Sequence, residues 1–154
     1  MEPVFQGIHK KDPDFEKAHA QCANTIGEFI DLVKKADKST CMSKLRFRDP
    51  DLSEKEGTDH LFYLWLSNVI YHENENMLSG VFFEIPEGFE KWHQVGKRLG
   101  FDPEDVFDWM VIDSSEHMMG GFTIRVTRDR LETEEEKKNF DAYIGISSYE
   151  PIKL

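Results

Sequence analysis

The sequence predicts an α+β domain, in which an N-terminal amphipathic helix packs on an antiparallel sheet of about five strands and one or two helices follow. Three observations carry that class. Apolar residues recur at spacings of three and four across residues 15–33, the period of a helix with one buried stripe. From residue 45 to residue 113 the pattern changes to short alternating or continuous apolar runs divided by turn residues, which is the period of strands. Twelve Phe, four Tyr and three Trp in 154 residues supply enough apolar surface for one packed core.

The first helix has a clear start, because Asp12 can cap it and Pro13 suits the first helical position. Phe15, Ala18, Cys22, Ile26, Phe29 and Val33 form its apolar stripe, and it ends near residues 34–36, where two lysines suit the negative end of the helix dipole. Leu45 and Phe47 then alternate with Lys44, Arg46 and Arg48, which predicts a strand with one wet face. Residues 50–60 read as a charged loop. Residues 61–71 are apolar or aromatic on both alternating faces, as expected of the central strand, covered on two sides. A short polar turn at 72–76 returns the chain into a strand over 77–85.

Residues 86–96 break the strand pattern, and 97–101 and 107–113 read as two further strands joined by the turn-forming Asp102-Pro103-Glu104-Asp105. The stretch 122–131 is compatible with strand or helix, and its position after Gly120-Gly121 favours helix. Thr133 with Glu136 three residues later forms a capping box and predicts a helix over 134–143. The domain is expected to span 12–145, with residues 1–11 and 146–154 as flanking tails. One core is expected to gather Phe15, Phe29, Leu64, Leu66, Val81, Phe83 and Trp109.

Thirty acidic against nineteen basic residues give a net charge of −11, unevenly placed. Residues 1–48 hold nine Lys/Arg and seven Asp/Glu, so residues 49–154 carry net −13. Such a surface repels nucleic-acid phosphates and anionic membranes and suits a basic protein partner, although acidity also serves solubility alone. The longest apolar run, near 61–66, is far short of the roughly twenty residues that span a bilayer, and the start Met1-Glu2-Pro3 lacks a signal-peptide pattern. A cytoplasmic protein is expected, with Cys22 and Cys41 as thiols.

Chemical motifs are sparse. His19 and Cys22 stand three apart on the first helix, but two ligands do not make a zinc site, and His9, Cys41, His60, His72, His93 and His117 show no second pair, so no metal or cofactor is expected. A Gly-x-Ser-x-Gly elbow and a glycine-rich phosphate loop are both missing. Asp102, Glu104, Asp105 and Asp108 cluster around a turn, where carboxylates usually bond local backbone N–H groups and only occasionally acquire acid–base chemistry.

The most distinctive stretches are Phe107-Asp108-Trp109-Met110-Val111-Ile112-Asp113 and Met118-Met119-Gly120-Gly121-Phe122-Thr123-Ile124-Arg125-Val126. With Leu64-Trp65-Leu66, Leu78-Ser79-Gly80, and the helix from Asp12-Pro13 through Glu28-Phe29, they make residues 12–131 similar to a YegJ-like bacterial family catalogued as domain of unknown function 2314. The resemblance implies an N-terminal helix against a curved antiparallel sheet and brings no assigned activity. Between Ile85 and Leu99 the chain departs from the family pattern, with Gly96 followed by Lys97 where Gly-Asp is common.

Strand alternation sends Trp109 and Asp108 to opposite faces, so an inward Trp109 leaves Asp108 outward, with Arg125 as its nearby counter-charge. An Asp108–Arg125 salt bridge is the expected structural role of that pair, and a ligand-facing site beside Gly120-Gly121 is the alternative. Trp65 reads as core and Trp92, between Lys91 and His93, as an exposed contact. The binding residues expected are Asp108, Arg125, Trp92, Asp102, Glu104 and Asp105, with none assigned to catalysis. The function they suggest is a non-enzymatic protein-binding module, of which an immunity-type inhibitor of a basic toxin is one form. The alternative is a small enzyme or small-ligand-binding protein.

Overall fold

A proline at the first helical position and an aspartate before it begin the chain's longest helix. The computed structural model describes residues 12–36 and 38–152; His9, the expected tail 1–11 and the last two residues lie outside them. Helix α1, Pro13–Lys35, starts where the Asp12 carboxylate accepts the Asp14 N–H at 3.0 Å. Phe15, Ala18, Cys22, Phe29 and Val33 are its buried residues, as the stripe requires.

The sheet has seven strands, more than the five or so the sequence suggests, in the order β4-β3-β2-β1-β5-β6-β7. They are β1 (Thr40–Arg48), β2 (Leu61–His72), β3 (Met77–Phe82), β4 (Arg98–Phe101), β5 (Val106–Ile112), β6 (His117–Gly120) and β7 (Ser148–Tyr149). All neighbours are antiparallel except β6 and β7, which run parallel. The centre of the sheet is β1, not β2, because β1 pairs with β2 on one side and β5 on the other.

Residues 50–60 are not simply a loop: Pro50–Glu56 form helix α2, capped by Asp49 through the Leu52 N–H and closed by Gly57 in the left-handed region. The 122–131 stretch resolves as helix α3, Phe122–Asp129, and the capping box forms as read, with Thr133 Oγ1 accepting the Glu136 N–H at 3.1 Å ahead of helix α4, Glu134–Ile144. The expected C-terminal tail is packed as far as it is described. Ile146 is buried, and β7 lies beside β6.

Both sheet faces are covered. On one, Cys22 and Phe29 of α1 meet Leu45, Leu64, Leu66, Trp109 and Val111, with Phe29 stacked on Trp109 at 5.2 Å. On the other, Trp65, Met110 and Met118 pack under Ile124 of α3, Phe140 of α4 and Ile146. Phe15, Leu64 and Trp65 are buried as expected, but Phe83 is exposed and Val81 half-buried. Alternation gives the inward position on β3 to Phe82 between them, so the expected core residues here were displaced by one. Among the described residues, no helix is long and apolar enough to cross a membrane.

Candidate functional site

Strand β5 alternates as its sequence demands. Trp109 and Val111 turn to α1, while Asp108 and Met110 turn to the opposite face. That face is not solvent, and the outward Asp108 expected from the sequence is wholly buried. Its Oδ1 accepts the N–H groups of Trp109 at 2.8 Å and Phe122 at 3.1 Å, and its Oδ2 accepts the Thr123 N–H at 2.8 Å and the Thr123 hydroxyl at 2.5 Å. Gly121 holds the N-cap position of α3 and has no side chain to give, so Asp108 satisfies the helix's first donors from the neighbouring strand. Gly120 permits the approach: with φ at +73°, a Cβ there would stand 2.4 Å from the Trp109 carbonyl oxygen.

Lys44 lies opposite Asp108 in the β1–β5 register. The alternation places it on a wet face with Arg46 and Arg48; those two are exposed, whereas Lys44 is 5% exposed beneath α3. Its ammonium donates to Thr123 Oγ1 at 3.3 Å and sits 5.9 Å and 5.7 Å from the ring centres of Tyr63 and Trp65. Burial pulls its pKa down to about 8, against the attraction of Asp108. Burial likewise pushes Asp108 above the usual carboxylate range, opposed by its bonds to Thr123 and by the Lys44 charge. Lys44, Thr123 and Asp108 thus form an enclosed polar chain, in which the Asp108 carboxylate accepts every donor that β5 and the start of α3 direct at it.

The expected Asp108–Arg125 salt bridge does not form. Arg125 turns back toward the start of its helix, where Nε donates to the Gly120 carbonyl at 2.8 Å and Nη2 reaches the Met118 carbonyl at 3.5 Å. Its guanidinium lies over the Tyr149 ring at 5.4 Å. Alternation assigns Asp108 to the face closed by the α3 backbone, and that backbone takes up the carboxylate before any side-chain cation can reach it.

The other expected binding residues are exposed. Asp102, Glu104 and Asp105 lie on and before the 3-10 turn Pro103–Asp105 and form no ion pair among the described residues. Glu104 and Asp105 edge a groove of about 280 Å³ lined by Leu45, Phe47, Phe101 and Phe107, with Arg46 also on its wall. Trp92 is 40% exposed and meets Phe89 edge-on at 5.5 Å. Phe89 in turn packs against Phe47, so an aromatic path links Trp92 to the groove floor. The six residues therefore divide: Asp108 is enclosed, Arg125 lies beside Gly120, and the acidic turn and Trp92 are exposed separately, linked only through the packed rings of Phe47 and Phe89.

Some polar groups had no sequence signal beyond their residue type. His117 Nδ1 meets Ser148 Oγ at 2.6 Å and Nε2 meets Glu150 Oε2 at 2.7 Å, a hydroxyl–imidazole–carboxylate chain across β6 and β7. The adjacent backbone donors are spent, Ser147 and Ser148 N–H on the Glu116 carbonyl and Glu150 N–H on that of Met118, so they offer no oxyanion site and the chain acts as a clasp. His19 bonds the Phe107 carbonyl at 3.1 Å and stacks on its ring, and Cys22 reaches the Val106 carbonyl. Among the described residues, no group of three His, Cys, Asp or Glu is placed to hold a metal.

A family model described as "Uncharacterized protein conserved in bacteria (DUF2314)" matches residues 12–148. No curated protein and no solved structure matches the chain.

Proposed function

The chain belongs to the bacterial DUF2314 family, and we propose that it works as a non-enzymatic protein-binding module whose acidic surface meets a basic protein. The observation that carries this reading is the acidic rim of an apolar groove: exposed Glu104 and Asp105 edge a groove lined by Phe47, Phe101 and Phe107, and Phe47 packs through Phe89 toward the exposed indole of Trp92. Carboxylates beside an aliphatic and aromatic floor suit a lysine or arginine side chain, whose stem and charge are both accommodated. The net −13 over residues 49–154 adds long-range attraction for such a partner.

Asp108 is a poor acid–base residue for a substrate because it is wholly enclosed and already accepts four donors. An immunity-type inhibitor of a basic toxin is the form of binding module that best suits the charge. A cytoplasmic setting suits the two unpaired thiols. Grouping the chain as YegJ-like within its family rests on the ordered segments 64–66, 108–110 and 120–126. The test is kinetic: an identified partner should associate more slowly as salt rises and as Asp102, Glu104 and Asp105 are reversed in charge.

A further inference from the structure

Gln21 lies three and four residues before Asn24 and Thr25, and these lie four and three before Glu28, so the four share one face of α1. That face borders a cleft of about 320 Å³, with Gly120, Arg125 and Glu150 across from it and Met119, Phe122 and Ile152 supplying apolar lining. The size suits a molecule of a few to a dozen or so heavy atoms. It is separate from the groove beside Glu104 and Asp105, and its occupant does not depend on the acidic surface.

The charges in the cleft are not spent on each other. Arg125 is half-buried, its hydrogen bonds go to the neutral carbonyls of Gly120 and Met118, and it forms no ion pair among the described residues. Its burial disfavours the charged guanidinium, against the more distant attraction of Asp108, Glu150 and Asp129, and an anion in direct contact would add to that attraction. Glu28 lines the same cleft and likewise forms no ion pair among the described residues, while Glu150 is engaged by His117. The side-chain amides of Gln21 and Asn24 make no hydrogen bond there either. A phosphate or dicarboxylate would meet two glutamates, whereas a molecule carrying one charge of each sign would satisfy Arg125 and Glu28 together.

We infer that this cleft binds a small zwitterion of the α-amino-acid class with an apolar side chain. The carboxylate takes the remaining guanidinium donors of Arg125, and the ammonium is held by Glu28 with help from Asn24 and Gln21. The side chain rests against Met119, Phe122 and Ile152. Arg125, half-buried, and Glu28 would each pair one charge of the ligand, so removing either charge from the ligand should matter more than changing its side chain.

The test is calorimetric titration of the full chain with L-leucine, L-methionine and L-phenylalanine, alongside 4-methylpentanoate and isopentylamine, which are leucine without its amine and without its carboxylate. At least one amino acid should bind with a Kd of about 1 mM or tighter, and both leucine analogues should bind about tenfold more weakly than leucine. Asn24→Trp fills the cleft from an exposed helix position and should abolish binding while the circular dichroism spectrum is kept. Glu28→Gln should bring leucine and 4-methylpentanoate to within about threefold of each other. Absence of saturable binding of all three amino acids at about 10 mM would overturn the inference. So would equal affinity for the charge-deleted analogues, or wild-type binding by a folded Asn24→Trp protein. None of these results bears on the acidic surface, which is tested by its own partner's kinetics.

Discussion

Asp108 caps the helix that holds Thr123: one carboxylate oxygen accepts both the Thr123 N–H at 2.8 Å and the Thr123 hydroxyl at 2.5 Å, and the same hydroxyl accepts from Lys44 at 3.3 Å. Three elements that are distant in the sequence, β1, β5 and α3, are fastened at that point. The expectation of a solvent-facing aspartate gives way to its opposite.

Replacing Asp108 with Asn should be strongly destabilising, because an amide offers one acceptor where four donors converge and leaves the buried Lys44 ammonium uncompensated. The expected loss in urea unfolding is about 3–5 kcal/mol. Thr123→Val removes only the hydroxyl bridge and should cost about 1–3 kcal/mol. Equal, near-zero losses for both would show that the network is not the fastening of α3.

The same network makes a signed pH prediction. The Lys44 pKa is about 8 in the folded chain against an ordinary value of 10.5, so between those limits the unfolded chain binds the extra proton and stability contributed at this site rises with pH. The gain is up to about 3 kcal/mol and should appear as a rise in the unfolding free energy of wild type relative to Lys44→Met from pH 8 to 10.5. Taking the difference matters because burial raises the thiols of Cys22 and Cys41, whose unfolded forms ionise in the same range and act in the opposite direction. A difference that stays flat across the window would contradict a depressed lysine.

Those thiols give a simpler measurement. Burial is the main cause of both upward shifts, and Cys22 and Cys41 are 0% and 4% exposed, so neither should react with a disulfide reagent at pH 8 until the chain unfolds. Two equivalents should then react together with the unfolding transition. Rapid labelling of either in the native protein would show that α1 opens locally from β5.

What the sequence made legible was local. Asp12-Pro13 and the stripe from Phe15 to Val33 specify α1 from within one segment, and Thr133 with Glu136 does the same for α4. Trp92 was readable as exposed because it stands between charged and polar neighbours in a segment broken by proline and glycine. Lys44 and Asp108 were misread for one shared reason. Alternation correctly placed both on the face opposite Leu45 and Trp109, but the cover on that face comes from α3 and α4 at the far end of the chain, and no local pattern announces it. Arg125 was paired with Asp108 on charge alone, whereas the backbone donors of α3 supply the partners. Strands β6 and β7, of four and two residues, are too short for a periodicity to show.

Trp92→Ala should cost little stability, about 1 kcal/mol or less, since Trp92 is 40% exposed and meets the buried Phe89 only edge-on. If the indole is a desolvated anchor in the complex, the substitution should speed dissociation by about tenfold or more with little effect on association.

The most direct test of the account measures the association rate constant of the identified partner against ionic strength, for wild type and for the combined Asp102→Lys, Glu104→Lys and Asp105→Lys protein. Screening shortens the Debye length from about 10 Å at 0.1 M salt to about 3 Å at 1 M, so attraction by the acidic surface should make the wild-type on-rate fall by about tenfold or more across that range. The reversed protein should start slow and show a much flatter salt dependence, with dissociation little altered in either case. An on-rate insensitive to salt and to the three reversals would contradict the account and leave the acidity to serve solubility alone.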